Sequence, residues 1–422
     1  MTRAGALHIA IIGYGTAGQA AAVLLAADGH SLDVFERVPR PGPVGAGFLL
    51  QPTGLAVLWR MGLLDTVLGH GHRIGRLYGR TAAGRAVMDM RYRELDPRLF
   101  GLGLQRGALF SILDSAWQGA RALHAGCAIE AIDCERGLLT DQAGRRHGPY
   151  DLVVVADGAA STLRGRLGRA RLDRPFPWGA RWCLVEQGGW AWPGELQQRY
   201  VAARRMAGML PVGTRPGDAR PLMSFFWSEP VSALDADDCD DVAWRRDLAA
   251  VWPEAADCLA PVAVPAGLAI ARYRDTVLRD WHRGRAVLIG DAAHAMSPQL
   301  GQGVNMALLN ALALRDHLRA PVDVPLSACL ARYARHRRSH LGIYHVWSRW
   351  LTPLFQSERD RLAAVRDCLM HPLSRLPGGR GQMLRVLTGT RRGWFGRLPL
   401  APDFLAAMQR TPRQGRCDNP AP

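Results

Sequence analysis

The stretch that most constrains this chain is Gly13-Tyr14-Gly15-Thr16-Ala17-Gly18. It follows an apolar run at 7–12 and opens a run of helix-forming residues at 17–27 that stops at Gly29, a plausible glycine stop. The spacing has a mechanical reason. Gly13 permits a tight turn, Gly15 lets backbone amides approach a diphosphate, and Gly18 lets helix and strand pack closely. Residues 32–36 read as a second strand ending at Glu36, 21 residues after Gly15. Strand, turn, helix and strand make a βαβ unit with its ligand end at the glycines and Glu36. An anion would sit on the unpaired N–H groups of the helix start, beside Thr16 and Ala17. The Glu36 carboxylate accepts ribose hydroxyls and repels a phosphorylated ribose, so the site suits an unphosphorylated adenosine. Arg37 is counted at the same end.

Two later segments turn this common motif into a specific one. The first is Asp157-Gly158-Ala159-Ala160-Ser161-Thr162-Leu163-Arg164. The second is Gly290-Asp291-Ala292-Ala293-His294, followed by Pro298 and Gly301-Gln302-Gly303-Val304-Asn305. Together the three resemble the fingerprints of the single-component FAD-dependent aromatic hydroxylases, the para-hydroxybenzoate hydroxylase-like flavoprotein monooxygenases. The resemblance implies an α/β fold: a Rossmann-like FAD-binding domain interleaved with an α+β substrate domain, plus a helical C-terminal tail.

The resemblance also implies residue roles. Gly290 and Asp291 take the ribityl end of FAD. Pro298, Gly301 and Gly303 supply the backbone around the flavin C4a carbon, with Val304 and Asn305 beside the ring. Asp157 and Arg164 belong to the segment touching the diphosphate and implicated in pyridine nucleotide use. Arg106, in Leu104-Gln105-Arg106-Gly107, matches an arginine near the diphosphate, and 45–52 looks like the loop behind the ring. Physics agrees on one point: a helix starting at Gly303 or Val304 aims its amides at negative charge gained on reduction. The implied activity is hydroxylation of a phenolic or lipophilic aromatic ring with O2 and NADPH or NADH, through a flavin C4a-hydroperoxide. An FAD-dependent reductase or desaturase that does not oxygenate its substrate is the alternative. Asn310 departs from the family, whose members usually carry an acid there.

On that resemblance and the change of texture at about 171–281, 1–75, 104–170 and 282–324 are expected to form the FAD domain, 76–103 and 171–281 the substrate domain, and 325–422 a helical basic region. Within these, 74–92 reads as a hairpin and 105–123 as a helix. The stretches 151–156, 180–187, 206–212, 222–228 and 285–289 read as strands, and 240–251 and 304–318 as helices.

All basic side chains are Arg; the chain has no Lys, which excludes a Lys nucleophile, Schiff base or lysine-borne oxidant. That removes a flavin halogenase, which 15–18 and 190–193 superficially resemble. Eight Cys lie singly with no Cys-x-x-Cys, so no metal site or disulfide framework is expected and a cytoplasmic setting fits. No run approaches the roughly 20 apolar residues of a membrane span.

Of the net charge of +16, twelve arise in 331–422, from seventeen Arg against five acids. Nucleic-acid binding is not expected, because the basic region lacks a recognition-helix motif or an aromatic-interleaved sheet. In 331–350, Tyr333, His336, His340, Tyr344, Trp347 and Trp350 interleave with Arg. These residues either pack the tail onto the flavin domain or meet an anionic membrane surface from the inner face. Eight of the 13 Trp fall in 172–281, which points to an aromatic-lined cavity there. Arg181, Arg204 and Arg272 are candidates to clamp a substrate carboxylate, and His72, Tyr78, Tyr273 and His294 are candidate bases.

Overall fold

The computed structural model describes residues 5–42, 45–235, 240–264, 267–321, 323–374, 376 and 378–410. Arg413, Arg416 and Asp418 of the basic tail lie outside the described residues. Strand His8–Ile12 sits in the middle of a six-stranded sheet, paired in parallel with Ser31–Glu36 on one side and Leu152–Val155 on the other. Ala286–Leu288 extends the parallel order beyond Leu152–Val155. Strands buried on both faces need continuous apolar runs, and Ile9 to Ile12 and Leu152 to Val155 supply them. Helices Thr16–Ala26 and Gly303–Leu318 pack on each other across one face of this sheet.

A seven-stranded sheet stands beside it. Strands Arg76–Thr81 and Ala86–Arg91 form the expected hairpin and join it through parallel pairing with Glu195–Val201. The strands read at 180–187, 206–212 and 222–228 extend to Ala170–Glu186, Arg205–Arg215 and Asp218–Pro230. Helix Asp241–Val251 starts where expected, because the Asp240 carboxylate accepts from Val242 N and Ala243 N.

The helix expected at 105–123 stops early. Arg106–Ala116 is helical, Gly119 takes φ +90, and Ala122–Ala125 becomes an edge strand on Ser31–Glu36. Pairing with an open sheet edge outweighs local helix propensity here. The C-terminal region holds helices Leu326–Phe355, Asp360–Ser374, Gly379–Leu387 and Pro402–Ala407. It also contains a two-stranded hairpin, Arg391–Arg392 with Gly396–Arg397, that periodicity did not reveal. Among the described residues no helix is long and apolar enough to cross a membrane.

Candidate active site

The glycine turn is built as its spacing demands. Gly13 has φ +102, and a Cβ on Gly18 would collide with the Gly13 carbonyl, so helix and turn touch through backbone alone. Gly15 differs: a Cβ there would meet nothing within 4 Å. It caps helix Thr16–Ala26, whose first turn has no side-chain cap and no acid. The result is an open cradle of unpaired N–H groups, the arrangement an anion satisfies. Glu36 is half-buried beside it, accepting from Tyr14 N at 2.8 Å and Val38 N at 2.9 Å, while Arg37 is exposed.

Gly290 closes the distance between fingerprints far apart in sequence, lying 272 residues after Gly18. It has φ +60, and a Cβ on it would lie 2.7 Å from the Ala17 Cβ, so the late motif packs directly on the first helix. Asp291 follows at the start of the short helix Asp291–His294. Its carboxylate is exposed, has no hydrogen-bond partner among the described residues, and lies beside Gly303. Helix Gly303–Leu318 likewise begins without a side-chain cap or a first-turn acid. Gly301 is exposed and left-handed, and Pro298 and Val304 are half-buried.

Two uncapped helix starts, one free carboxylate and the buried, partnerless Asp157 Oδ1 converge in this region. Burial raises the Asp157 carboxyl above its ordinary range. A dinucleotide carrying a diphosphate and a polyol chain supplies what these groups lack. The residues therefore fit FAD.

Two expected cofactor residues have side chains with other work. Asn305 is fully buried; its Oδ1 accepts from Gln51 N at 2.8 Å, and its Nδ2 donates to Gly301 O and Leu49 O. It ties the helix start to the loop at 45–52. Arg164 is buried, not solvated as a turn arginine would be. It donates to Thr276 Oγ1 at 2.5 Å, to Gly158 O at 3.0 Å and to Ala159 O, with Asp173 at 3.5 Å. Its guanidinium shapes the 158–161 loop. Arg106 is exposed and lies over Gly45, whose Cβ would sit 2.8 Å from the Arg106 Cδ.

Sequence reasoning passed over Gln302. It is buried and reaches away from the helix start to Leu387 O at 2.6 Å, which docks the tail against the site.

The tryptophans correct an expectation. Trp190 packs on Trp252, and Trp227 on Trp244 of helix Asp241–Val251, forming a core on the sheet face that also holds Cys183, Val185 and Phe225. They line no cavity at the nucleotide site. Strand alternation puts Trp182, Leu184, Ser224 and Phe226 on the opposite face, paired as Trp182 with Phe226 and Leu184 with Ser224. That face meets the glycine loop: Gly47 N donates to Ser224 Oγ at 3.1 Å. Trp182, Leu184 and Phe226 are partly buried on it, Leu184 packed against the core around Leu49 and Leu210 and Phe226 against that around Tyr200 and Phe355. The alternation in 222–228 was the available signal.

Tyr273 lies in strand Ala269–Leu278, which is stitched to the Asp291 turn by Thr276 N donating to Ala295 O at 2.8 Å. Burial pushes the Tyr273 phenol up to about 12, with Arg106 opposing the shift. Arg181, Arg204 and Arg272 are paired with Glu229, Asp360 and Asp235. None is left to clamp a carboxylate. His294 is fully buried, its Nε2 2.6 Å from Asn310 Oδ1, and Asn310 donates on to the Tyr333 hydroxyl. An amide oxygen can only accept, so Nε2 carries the proton, and burial keeps the ring neutral. This is a structural histidine. Tyr78 lies under the Arg76 guanidinium, and His72 is half-buried in its strand with burial lowering its imidazole.

Cys127, Asp141 and His147 gather elsewhere with ligand atoms within 4.8 Å of one another. Asp141 there already accepts from Ala143 N, Arg145 N, Arg145 Nε and His147, and works as the hub of a hairpin.

Comparison with known proteins agrees with this geometry. The family model described as "FAD binding domain" matches residues 6–342. Kynurenine 3-monooxygenase of Salinispora arenicola is 30% identical over 84% of this chain and 81% of its own length. The 2-heptyl-3-hydroxy-4(1H)-quinolone synthase of Mycobacteroides abscessus is 29% identical over 75% of this chain and 83% of its own. Among solved structures, Klebsiella pneumoniae HpxO complexed with FAD and uric acid superposes with a TM-score of 0.75, at 20% identity, over 91% of this chain and 97% of the other. That last likeness bears on the fold alone. The chain belongs to the FAD-dependent aromatic monooxygenases, flavoproteins that use O2 and a nicotinamide reductant on small aromatic substrates.

Proposed function

We propose that this monooxygenase hydroxylates an uncharged, apolar aromatic or heteroaromatic ring held between the Trp182–Leu184–Phe226 face and the Pro298–Gly303 segment. The observation that carries the reading is that face: partly exposed, apolar apart from Ser224, against the glycine loop, and with Arg181, Arg204 and Arg272 each already ion-paired. A carboxylate set against this face would find none of those three guanidinium groups free to pair with it, which is unfavourable. The quinolone-named relatives point the same way, since a quinolone is a neutral fused ring.

FAD, when bound, accepts two electrons from the nicotinamide and activates O2 beside the ring. The chain's own residues would hold and shield it. The Gly13–Gly18 cradle takes the diphosphate, with Arg106 at its rim, and Glu36 takes the adenosine ribose. Asp291 would accept from a polyol hydroxyl, and the Gly303 helix start would serve the pyrimidine end of the ring. Asn305 fixes the loop behind the ring, and Arg164 fixes the loop that presents Asp157. The Tyr273 phenol stays protonated at neutral pH and donates to an oxygen on the substrate ring, orienting the carbon to be hydroxylated.

The test is substrate-stimulated NADPH and NADH oxidation by the flavin-loaded enzyme. 2-Alkyl-4-quinolones and uncharged phenols are compared with para-hydroxybenzoate and kynurenine, and 18O2 incorporation is read by mass. Labelled product from neutral rings is expected. Preference for a carboxylated ring would overturn the substrate reading, and NAD(P)H oxidation without label would favour the non-oxygenating alternative.

A further inference from the structure

The C-terminal region carries a surface that the monooxygenase reading does not use. Of the aromatic residues interleaved with arginine in helix Leu326–Phe355, Tyr333, His340 and Tyr344 are buried and bond inward. Tyr333 OH donates to Leu288 O and Tyr344 OH to Arg391 O, and His340 Nε2 donates to Gly389 O. That helix face is therefore closed to a bilayer. Its contacts instead present the hairpin Arg391–Arg392, Gly396–Arg397. The hairpin is held by Leu398 N donating to Thr390 O and by the Arg391 guanidinium reaching Phe395 O.

At its tip Trp394 is 59% and Phe395 91% exposed, the latter the most exposed large apolar side chain among the described residues. A hairpin built this firmly around two aromatic residues left in water is costly unless something covers them.

The charge around the tip names what that something is. Arg392 and Arg397 flank it and are exposed; Arg391 lies at its base and Arg385 close by on helix Gly379–Leu387. None of the four forms an ion pair among the described residues. Burial, and then the proximity of Arg397 and Arg391, lowers the Arg385 guanidinium, which marks like charges crowded without a counter-ion. An aromatic tip ringed by unneutralised guanidinium groups matches the boundary of an anionic bilayer, where indole and phenyl rings enter the headgroup layer and arginines meet phosphates. We propose that the Trp394–Phe395 hairpin, with Arg392 and Arg397, docks this enzyme on an anionic lipid surface. The proposal is independent of the substrate reading.

Vesicle co-sedimentation of the full-length, flavin-loaded protein tests it. Vesicles are phosphatidylcholine with or without phosphatidylglycerol, and inorganic phosphate is added in parallel to compete for a simple anion site. Binding is expected only with the anionic vesicles. It should survive millimolar phosphate and fade between about 0.1 and 0.5 M salt, as the screening length falls from about 10 to about 4 Å. Arg392→Gln with Arg397→Gln should weaken partitioning about thirtyfold. Trp394→Ser with Phe395→Ser should weaken it at least tenfold, and both double variants should keep their flavin absorbance because these side chains are exposed. Wild-type protein that stays in solution at low salt overturns the proposal, as does equal binding by the variants. So does a finding by sedimentation velocity that the tip variant only converts a dimer to monomers, which would assign the surface to a second copy.

Discussion

Two helices begin at glycine-rich turns and face one site, yet they are held in opposite ways. Thr16–Ala26 is positioned by local backbone: Gly13 and Gly18 touch each other, and the Glu36 carboxylate reaches the Tyr14 amide. Gly303–Leu318 is positioned by side chains that reach far along the chain: Asn305 to Gln51, Gln302 to Leu387, Asn310 to His294 and Tyr333. The same arrangement, a helix start with no side-chain cap, is achieved by local sterics in one case and by tertiary contacts in the other. A local device is written in consecutive residues. A tertiary one is distributed over the fold.

The sharpest break of this comparison is Gly18→Ala against Gly15→Ala. A methyl group at 18 meets the Gly13 carbonyl and should destabilise the protein by about 3 kcal/mol or more, lowering the Tm of the cofactor-free protein. At 15 the methyl enters open space, so the cofactor-free Tm should hold while FAD affinity falls. Equal Tm values for the two variants would remove the distinction drawn between packing and cradle.

Next in size is Asn305→Ala, which orphans the buried Gln51 amide and should cost about 2 to 3 kcal/mol of stability together with FAD affinity. Thermal melts with and without FAD read both losses; an affinity loss with an unchanged Tm would contradict the bracing role.

Asp291→Ala should act on the cofactor alone. Its carboxylate has no hydrogen-bond partner among the described residues, so the cofactor-free Tm should stay put. FAD affinity should drop about ten- to a hundredfold, matching a charged hydrogen bond of about 1.5 to 3 kcal/mol. Fluorescence titration of stripped protein with FAD measures it, and wild-type affinity would withdraw the role.

The smallest effect separates the tail side of the second helix. His340 is held neutral, pushed down to about 3 by burial and then by Arg337; its Nδ1 accepts from Arg337 and its Nε2 donates to Gly389 O. His345 is likewise pushed down to about 3 by burial. Each has a folded value below the unfolded 6.5, so the unfolded chain takes up the proton first. Stability is full above about pH 6.5 and declines as pH falls, by about 2 kcal/mol per imidazole between pH 6.5 and 5. His340→Gln should flatten that part of the Tm profile; an unchanged slope would show that this ring is protonated in the fold.

The same contrast explains what was legible. The glycine turn, Glu36, Asp291 and the strands around them could be read because each requirement is met within a few residues. Arg164 and Asn305 could not: their residue types signalled a polar role, but only the fold shows Thr276 and Gln51 as their partners. The tryptophans of 172–281 were visible as a group, yet whether a strand residue faces core or cavity depends on which sheet face receives the helices at 241–258. Trp227 and Phe226, adjacent in sequence, fall on opposite sides of that decision. The early end of the helix at Ala116 and the hairpin at 391–397 were decided by pairing and docking partners distant in sequence.

By itself, then, the amino-acid order determined the βαβ unit, the three fingerprints and with them the family, because glycine conformation and strand burial are local demands. It also excluded lysine chemistry outright. Only the tertiary structure decided that Gly290 meets Ala17, that Arg181, Arg204 and Arg272 are ion-paired, and that the tail turns its tyrosines inward and Phe395 outward. Those outcomes depend on contacts between segments tens to hundreds of residues apart, where burial and charge pairing are set jointly by the folded chain.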